Sequence, residues 1–429
     1  LTRQTPFVIP SKNAAVTAKL RAGLWAFEKL GGVPKDRRHE VWSRAELEQR
    51  EPAIDTRQLS GAVVYPEYLT DDAKLTLANV RSAAAHGAVV VSYAPVTEML
   101  RDGDRVTGEP IADALAGGGV RARLSGRVIV NAAGPWVDAL RRLEDGSAPA
   151  QVQLSKGVHL VVSKARLPVG RTIIMPAADR RSVFAVPKGA HTYIGTTDTF
   201  YPASDYWPRI EAADVDYLLA AAAARFSTEP LKHGDIVSAW SGVRPLVAEE
   251  GKSPSDISRK DEVWTGPGGM LSIAGGKLTA YRQMAERIVD MAEQALGRKV
   301  SKARTAEDPL VGGDLDPAAL INRLATEVGA PAAERLVQLY GSEAGEVTGG
   351  PASEARHAVL AEGALTLEDW WVRRSARAWF DDSLEALAPA AAEMASLLGW
   401  SAAETGRQVE ACRTLRAETL AALNTPAEA

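Results

Sequence analysis

The stretch "LSIAGGKLTAYRQMAE", residues 271–286, decides the fold. A short apolar run meets Gly275 and Gly276, then Lys277, Leu278 and Thr279, and then an amphipathic helical pattern. A strand that turns into a helix through Gly-Gly lets something approach the backbone closely. The helix start near Lys277 offers free backbone N–H groups and a positive dipole end, to which Lys277 adds a charge and Thr279 a hydroxyl. An ordinary turn with a solvated lysine is the plain alternative. The coincidence of Gly-Gly, Lys and Thr at one helix start favours a ligand. No G-x-G-x-x-G fingerprint accompanies it anywhere in the chain.

Working outward, the 429 residues suffice for two or three domains. Fifty Lys and Arg against 54 Asp and Glu give a formal charge of -4, which argues against a nucleic-acid partner or a polybasic anchor. One cysteine, Cys412, excludes an intrachain disulfide and a cysteine zinc site and suits a reducing cytoplasm. No apolar run reaches the roughly 18 residues of a membrane span. A cytoplasmic protein is expected, with a peripheral contact on the inner membrane face left open.

The segment "QTPFVIPSKNAAVTAKLRAGLWAFEKLGG" predicts a strand and a helix that stops at Gly31-Gly32. Ser43 and Glu46 have capping-box spacing. "TDDAKLTLANVRSAAAHG" predicts a helix ending before Gly87, and "AVVVS" (88–92) a buried strand beside it. Residues 94–130 predict a meander with hairpins at Asp102-Gly103 and Ser125-Gly126. The spacing of runs from 151 to 200 predicts an antiparallel sheet, followed by a helix near 211–226 and an extended run at 235–247. Beyond about 300, strand signals vanish and several helices are expected.

Arg244, in "VSAWSGVRPLV", sits among apolar or small neighbours. It needs a partner, either a structural carboxylate or an anionic substrate group held by its fork. "IVNAAGPW" places Ala132, Ala133, Gly134 and a helix-opening Pro135 after an apolar strand, which fits close packing and close ligand approach equally. Thr196, Thr197 and Asp198 end a strand, where they either cap a turn or line a pocket. His159 alternates with apolar neighbours, a pattern more common for a core histidine than for a base. No metal-ligand spacing, Ser-His-Asp order or nucleophile elbow is present.

Taken in order, "YPEYLTDDAKLTLANVRSAAAHGAVVVSYAPV", "VIVNAAGPWVD", "LSKGVHLVVS", "VFAVPKGAHTYIGTTD", "SGVRPL" and "LSIAGGKLTAYRQMAE" resemble the FAD-dependent glycerol-3-phosphate dehydrogenases, of the D-amino-acid-oxidase-like flavoprotein group. The tail with "EDWWVRRSARAWF" is similar to that family's C-terminal domain. Family members begin with a glycine-rich strand–turn–helix unit for the FAD pyrophosphate. By the resemblance, this chain starts after it, roughly a hundred residues into an ordinary βαβ-plus-linker layout. It also implies that Val96 meets the adenine through its backbone, and that Ala133, Gly134 and Trp136 form a flavin-proximal turn. Gly275, Gly276, Lys277, Leu278 and Thr279 would lie against the flavin ring. Arg244 would hold the substrate phosphate, with Lys277 and Thr197 as further substrate contacts. His159 and Lys277 remain the two candidates for the general base.

The fold expectation is therefore mixed α/β, with three parts. Residues 1–66 and 151–264 form an antiparallel-sheet substrate domain, 67–150 and 265–300 the remainder of a Rossmann-type FAD domain, and 301–429 a helical C-terminal domain. The implied reaction oxidises sn-glycerol 3-phosphate to dihydroxyacetone phosphate, with FAD as cofactor and a quinone or other electron acceptor. No metal and no nucleic acid are expected, and a homodimer is left open. The alternatives are an amine or amino-acid oxidase of the same group and an FAD-free binding module.

Overall fold

The computed structural model describes residues 2–115, 121–248 and 261–424. Its largest sheet holds nine strands. They are β1 (Thr2–Ser11), β2 (Glu40–Ser43), β3 (Gly61–Thr70), β8 (Val152–Ser163), β9 (Thr172–Pro176), β10 (Ser182–Lys188), β11 (His191–Gly195), β12 (Thr199–Phe200) and β13 (Ile236–Val247). The order is β12-β8-β11-β10-β9-β1-β3-β2, with β13 on the other edge of β8. All pairings are antiparallel except β1 with β9. The expected antiparallel sheet from 151 to 200 is present.

Successive side chains of a strand point to opposite faces. On β8, Val158, Leu160 and Val162 enter the main core with Leu47 of helix α2 (Arg44–Arg50), Leu218 of α5 (Ala212–Ala223) and Leu423. Ser155, Gly157 and His159 face the other way, which sets that face apart for polar work. Ser43 and Glu46 form the expected capping box of α2. Helix α1 (Ala14–Leu30) is capped by Asn13 and stops at Gly31.

Two smaller sheets follow. One joins β4 (Leu100–Asp102), β5 (Arg105–Ala112) and β6 (Arg121–Ser125). The other has the order β14 (Asp261–Thr265), β15 (Leu271–Gly275), β7 (Val130–Asn131). The hairpin at Asp102-Gly103 forms, but the one at Ser125-Gly126 does not. β7 instead pairs in parallel with β15, so the partner of "VIVN" lies 141 residues away rather than beside it. The boundary expected at 264 cuts through β14, which belongs with β15.

Helix α3 (Asp72–Ala85) forms as expected, but "AVVVS" is no strand. Val89, Val90 and Val91 are 90%, 51% and 55% exposed and pair with no strand among the described residues. An extended run becomes a strand only when a neighbour accepts its backbone hydrogen bonds. Helices α4 (Val137–Glu144) and α6 (Tyr281–Ala295) follow β7 and β15.

The C-terminal helices are α7 (Pro317–Val328), α8 (Ala330–Tyr340), α9 (Pro351–Leu360), α10 (Arg377–Phe380), α11 (Leu387–Leu398) and α12 (Ala402–Asn424). "EDWWVRRSARAWF" is not one helix. A π-helical turn at Asp369–Arg374 buries Trp370 and Trp371, and Ala376 at φ 55 redirects the chain into α10. Helix α3 is fastened to these helices by a buried Lys74–Glu362 ion pair and a two-pronged Arg81–Glu343 pair at 2.7 Å.

Candidate flavin and substrate site

Between β11 and β12 the edge of β8 is interrupted. The amide of Val158 donates to the Thr197 hydroxyl at 3.0 Å instead of to a ladder carbonyl. This bulge projects Thr196 and Asp198. Arg244, opposite Ser155 on β13, lays its side chain across β8 to meet them. Its Nη2 donates to the Thr196 hydroxyl at 3.0 Å, and its Nη1 stands 3.4 Å from the Asp198 carboxylate, which the Ser155 hydroxyl also meets. The crossing is possible because residue 157 is glycine. A Cβ there would stand 2.3 Å from Arg244 Nη2 and 2.6 Å from the Thr196 hydroxyl.

His159 makes the matching crossing toward Gly195, where a Cβ would stand 2.0 Å from its ring. Trp240 stacks on the other side of the imidazole at 4.8 Å and 14°. Burial, reinforced by the Arg244 charge, holds the imidazole at a pKa of about 3, so it is neutral. Its Nδ1 is sealed from solvent without a partner.

The second half of the site stands at the carboxyl ends of two parallel strands. β7 leads through Ala133, Gly134 and Trp136 into α4, and β15 leads through Gly275–Thr279 into α6. Asn131 ties the two together, donating to Ser272 Oγ at 3.2 Å and to the Val137 carbonyl at 2.9 Å, and accepting from the Ala133 amide. Gly275 and Gly276 take φ of 80° and 83°, a backbone that favours glycine. A Cβ on Gly276 would also stand 2.4 Å from Met284 Sδ. Lys277, Leu278, Thr279 and Trp136 are exposed, so this face is open to a flat ligand. The strand of Arg244 touches both β15 and the 134–136 turn. Val96 stands apart, bridged to Ile111 at the edge of the β4–β6 sheet.

Thr197 meets Arg244 through its carbonyl, at 3.4 Å from Nη1. Its hydroxyl is occupied inside the sheet, and the hydroxyl beside the guanidinium is that of Thr196. Asn131, Gly157 and Gly195 were not singled out as site residues from the sequence, whereas Thr196 and Asp198 were read as capping a turn or lining a pocket. A glycine inside a β run, as in "SKGVH", is the one available signal of a close approach.

An open cradle with glycines at positive φ, beside an arginine fork, fits a flavin and a phosphate ester. Residues 5–282 match the FAD dependent oxidoreductase family, and residues 303–405 match the C-terminal domain of alpha-glycerophosphate oxidase. The chain belongs to this family of FAD-dependent oxidoreductases. Within it, the chain is 35% identical over 388 residues to the aerobic glycerol-3-phosphate dehydrogenase of Bacillus subtilis, covering 84% of this chain and 70% of that protein. It is 37% identical to the Staphylococcus haemolyticus protein of the same name, covering 75% of this chain and 60% of that protein. The solved glycerol-3-phosphate dehydrogenase from Bacillus halodurans, complexed with FAD, superposes with a TM-score of 0.83 at 30% identity. It covers 99% of this chain and 84% of that one. The chain is thus a glycerol-3-phosphate dehydrogenase-type flavoprotein, and FAD is the cofactor of its family. Among the described residues, no helix is long and apolar enough to cross a membrane, and no cluster suits a metal ion.

Proposed function

We propose that the chain oxidises sn-glycerol 3-phosphate at C2 to dihydroxyacetone phosphate, with electrons passed on to a quinone or another acceptor. The observation that carries this is the Arg244 fork, held flat over Gly157 on the same side of the sheet as a neutral His159. A rigid guanidinium suits a phosphate dianion, for which it supplies paired hydrogen bonds and charge. Thr196 adds a hydroxyl, and Asp198 keeps the fork from swinging away.

FAD, when bound, supplies the hydride acceptor. Ala133–Trp136 and Gly275–Thr279 would hold its ring, and the Val96 backbone its adenine. Lys277 and the helix start behind it would lie near the ring and would stabilise negative charge there. His159 is assigned the C2 hydroxyl proton. A phosphate on Arg244 cancels the charge that, after burial, most depresses the basicity of His159.

The test is anaerobic. Protein carrying FAD should lose its yellow colour on addition of glycerol 3-phosphate, and Arg244→Ala should need far more substrate while keeping its flavin. Bleaching by glycine or sarcosine instead would select the amino-acid oxidase reading.

A peripheral contact with an anionic membrane face is part of this proposal. Helix α1 exposes Val16, Phe27 and Leu30 along one side, with Lys19, Arg21 and Lys29 on the rest of its surface. An apolar stripe with a basic flank suits a lipid headgroup layer. Sedimentation with phosphatidylglycerol vesicles, lost in Phe27→Glu, would support it, and equal binding to neutral vesicles would sink it.

A further inference from the structure

A cavity stands apart from Arg244. It lies at the opposite end of the nine-stranded sheet, where the start of β1, the end of β3 and the β10–β11 turn meet the C-terminal helices, and it holds about 330 Å³. That volume suits a small molecule, and such sites favour junctions between structural units.

One wall is apolar, made of Tyr193, Phe380, Pro187 and Leu339. The others carry cations of two kinds. The forks of Arg335 and Arg377 are already engaged, both by buried Glu354 and that of Arg377 also by Asp381 at 2.9 Å. Arg3 and Lys188 are not engaged in this way. Arg3 has no hydrogen-bond or ion-pair partner among the described residues. Lys188 holds its ammonium 4.5 Å from the Phe380 ring centroid and 3.8 Å from Asp71, beyond hydrogen-bond reach. Burial pushes Lys188 below the usual lysine range; Asp71 opposes this, and the charges of Arg3 and Arg335 add smaller downward pushes.

Of the four cations on this cavity, Arg335 and Arg377 are matched by Glu354, whereas among the described residues Arg3 has no ion pair and Lys188 has Asp71 at 3.8 Å, so these two can take an incoming anion. Lys188 and Arg3 offer that anion free donors, and the aromatic wall offers a flat apolar surface beside them. The Tyr193 ring is shared with the first site, because it also meets His159 edge-on at 6.0 Å and Trp240 at 5.5 Å.

We propose that this cavity is a second ligand site, for a small organic anion that joins one phosphate or carboxylate to a flat apolar group. The anion would sit between Lys188 and Arg3, and the apolar part against Phe380 and Tyr193.

The test uses the full chain and phenyl phosphate as the probe, followed by titration calorimetry, with inorganic phosphate as comparator. Phenyl phosphate should bind saturably and more tightly than inorganic phosphate. Lys188→Met and Arg3→Gln should each weaken it about tenfold or more, the scale of a lost charge-assisted hydrogen bond. Arg244→Ala should leave it unchanged while weakening glycerol 3-phosphate. If Lys188→Met fails to fold, Arg3→Gln, at an exposed position on β1, decides the matter alone. The proposal falls if phenyl phosphate does not bind saturably, if it binds no better than phosphate, if both cavity variants retain it, or if Arg244→Ala abolishes it.

Discussion

The guanidinium of Arg244 lies directly over Gly157, so near that a Cβ on residue 157 would stand 2.3 Å from Nη2. Backbone and side chain are therefore matched across two strands, and the orientation of the fork depends on a residue that itself offers no functional group.

Gly157→Ala should displace the fork and weaken substrate binding by about tenfold or more, as for other lost charge-assisted contacts. Flavin content should not change. In an Arg244→Ala background the same substitution should add almost nothing, because residues acting through one another are non-additive. Additive losses in the double variant would show that Gly157 serves the sheet and not the fork.

The Arg244 charge also acts on His159. In Arg244→Gln the His159 pKa should rise above about 3 yet stay below the ordinary value, since burial is the larger cause and remains. An NMR titration of the histidine Cε1–H signals reads this directly. A pKa that does not move would separate the two residues electrostatically.

Histidines held neutral by burial make the fold acid-sensitive. His159 and buried His357 both have depressed pKa values, so between about pH 6.5 and lower values the unfolded chain binds protons that the folded chain does not. Stability should therefore fall as pH falls through this window, and for His159 the window extends to about 3. His233, raised by the Leu423 carbonyl and Asp216, works in the opposite sense. Denaturant midpoints from about pH 7.5 to 5, which brackets the ordinary histidine range, would check the sign. His159→Gln should flatten the dependence.

How much of this was legible in the sequence follows from the range of each interaction. The capping box of Ser43 and Glu46, the turn at Gly275-Gly276 and the helix before Gly87 are set by residues within a few positions, and they were readable. Arg244 was readable as a charge among apolar residues that needs a partner. Gly157 and Gly195 were not, because their roles arise only when β8, β11 and β13 lie side by side, and Asp198 was readable only as a turn cap or a pocket residue. Thr196 and Thr197 differ by one position, and the interrupted strand edge alone decides which hydroxyl turns to the Val158 amide and which to Arg244. Val89–Val91 read as a strand by composition, yet pairing depends on a neighbour that composition cannot supply.

The buried pair of Lys74 and Glu362 gives the fourth prediction. Both side chains are nearly inaccessible, and the Lys74 ammonium also stands 4.3 Å from the Tyr340 ring centroid. Removing one partner, as in Glu362→Leu, should cost about 3–5 kcal/mol in urea unfolding. Lys74→Met with Glu362→Leu should recover most of that loss, since an apolar pair leaves no lone charge. Equal losses in the single and double variants would mean that packing, not charge, dominates there.

That same pair bears on where the molecule can be divided. The two matched family segments end and begin at residues 282 and 303, which invites cutting the chain between them. A cut there would strand Lys74 without its counter-charge, and it would strip Phe380 and Trp379 from Trp240, which stacks on His159. The tail thus packs as an inner wall against the half that carries Arg244 and His159 rather than as an appendage.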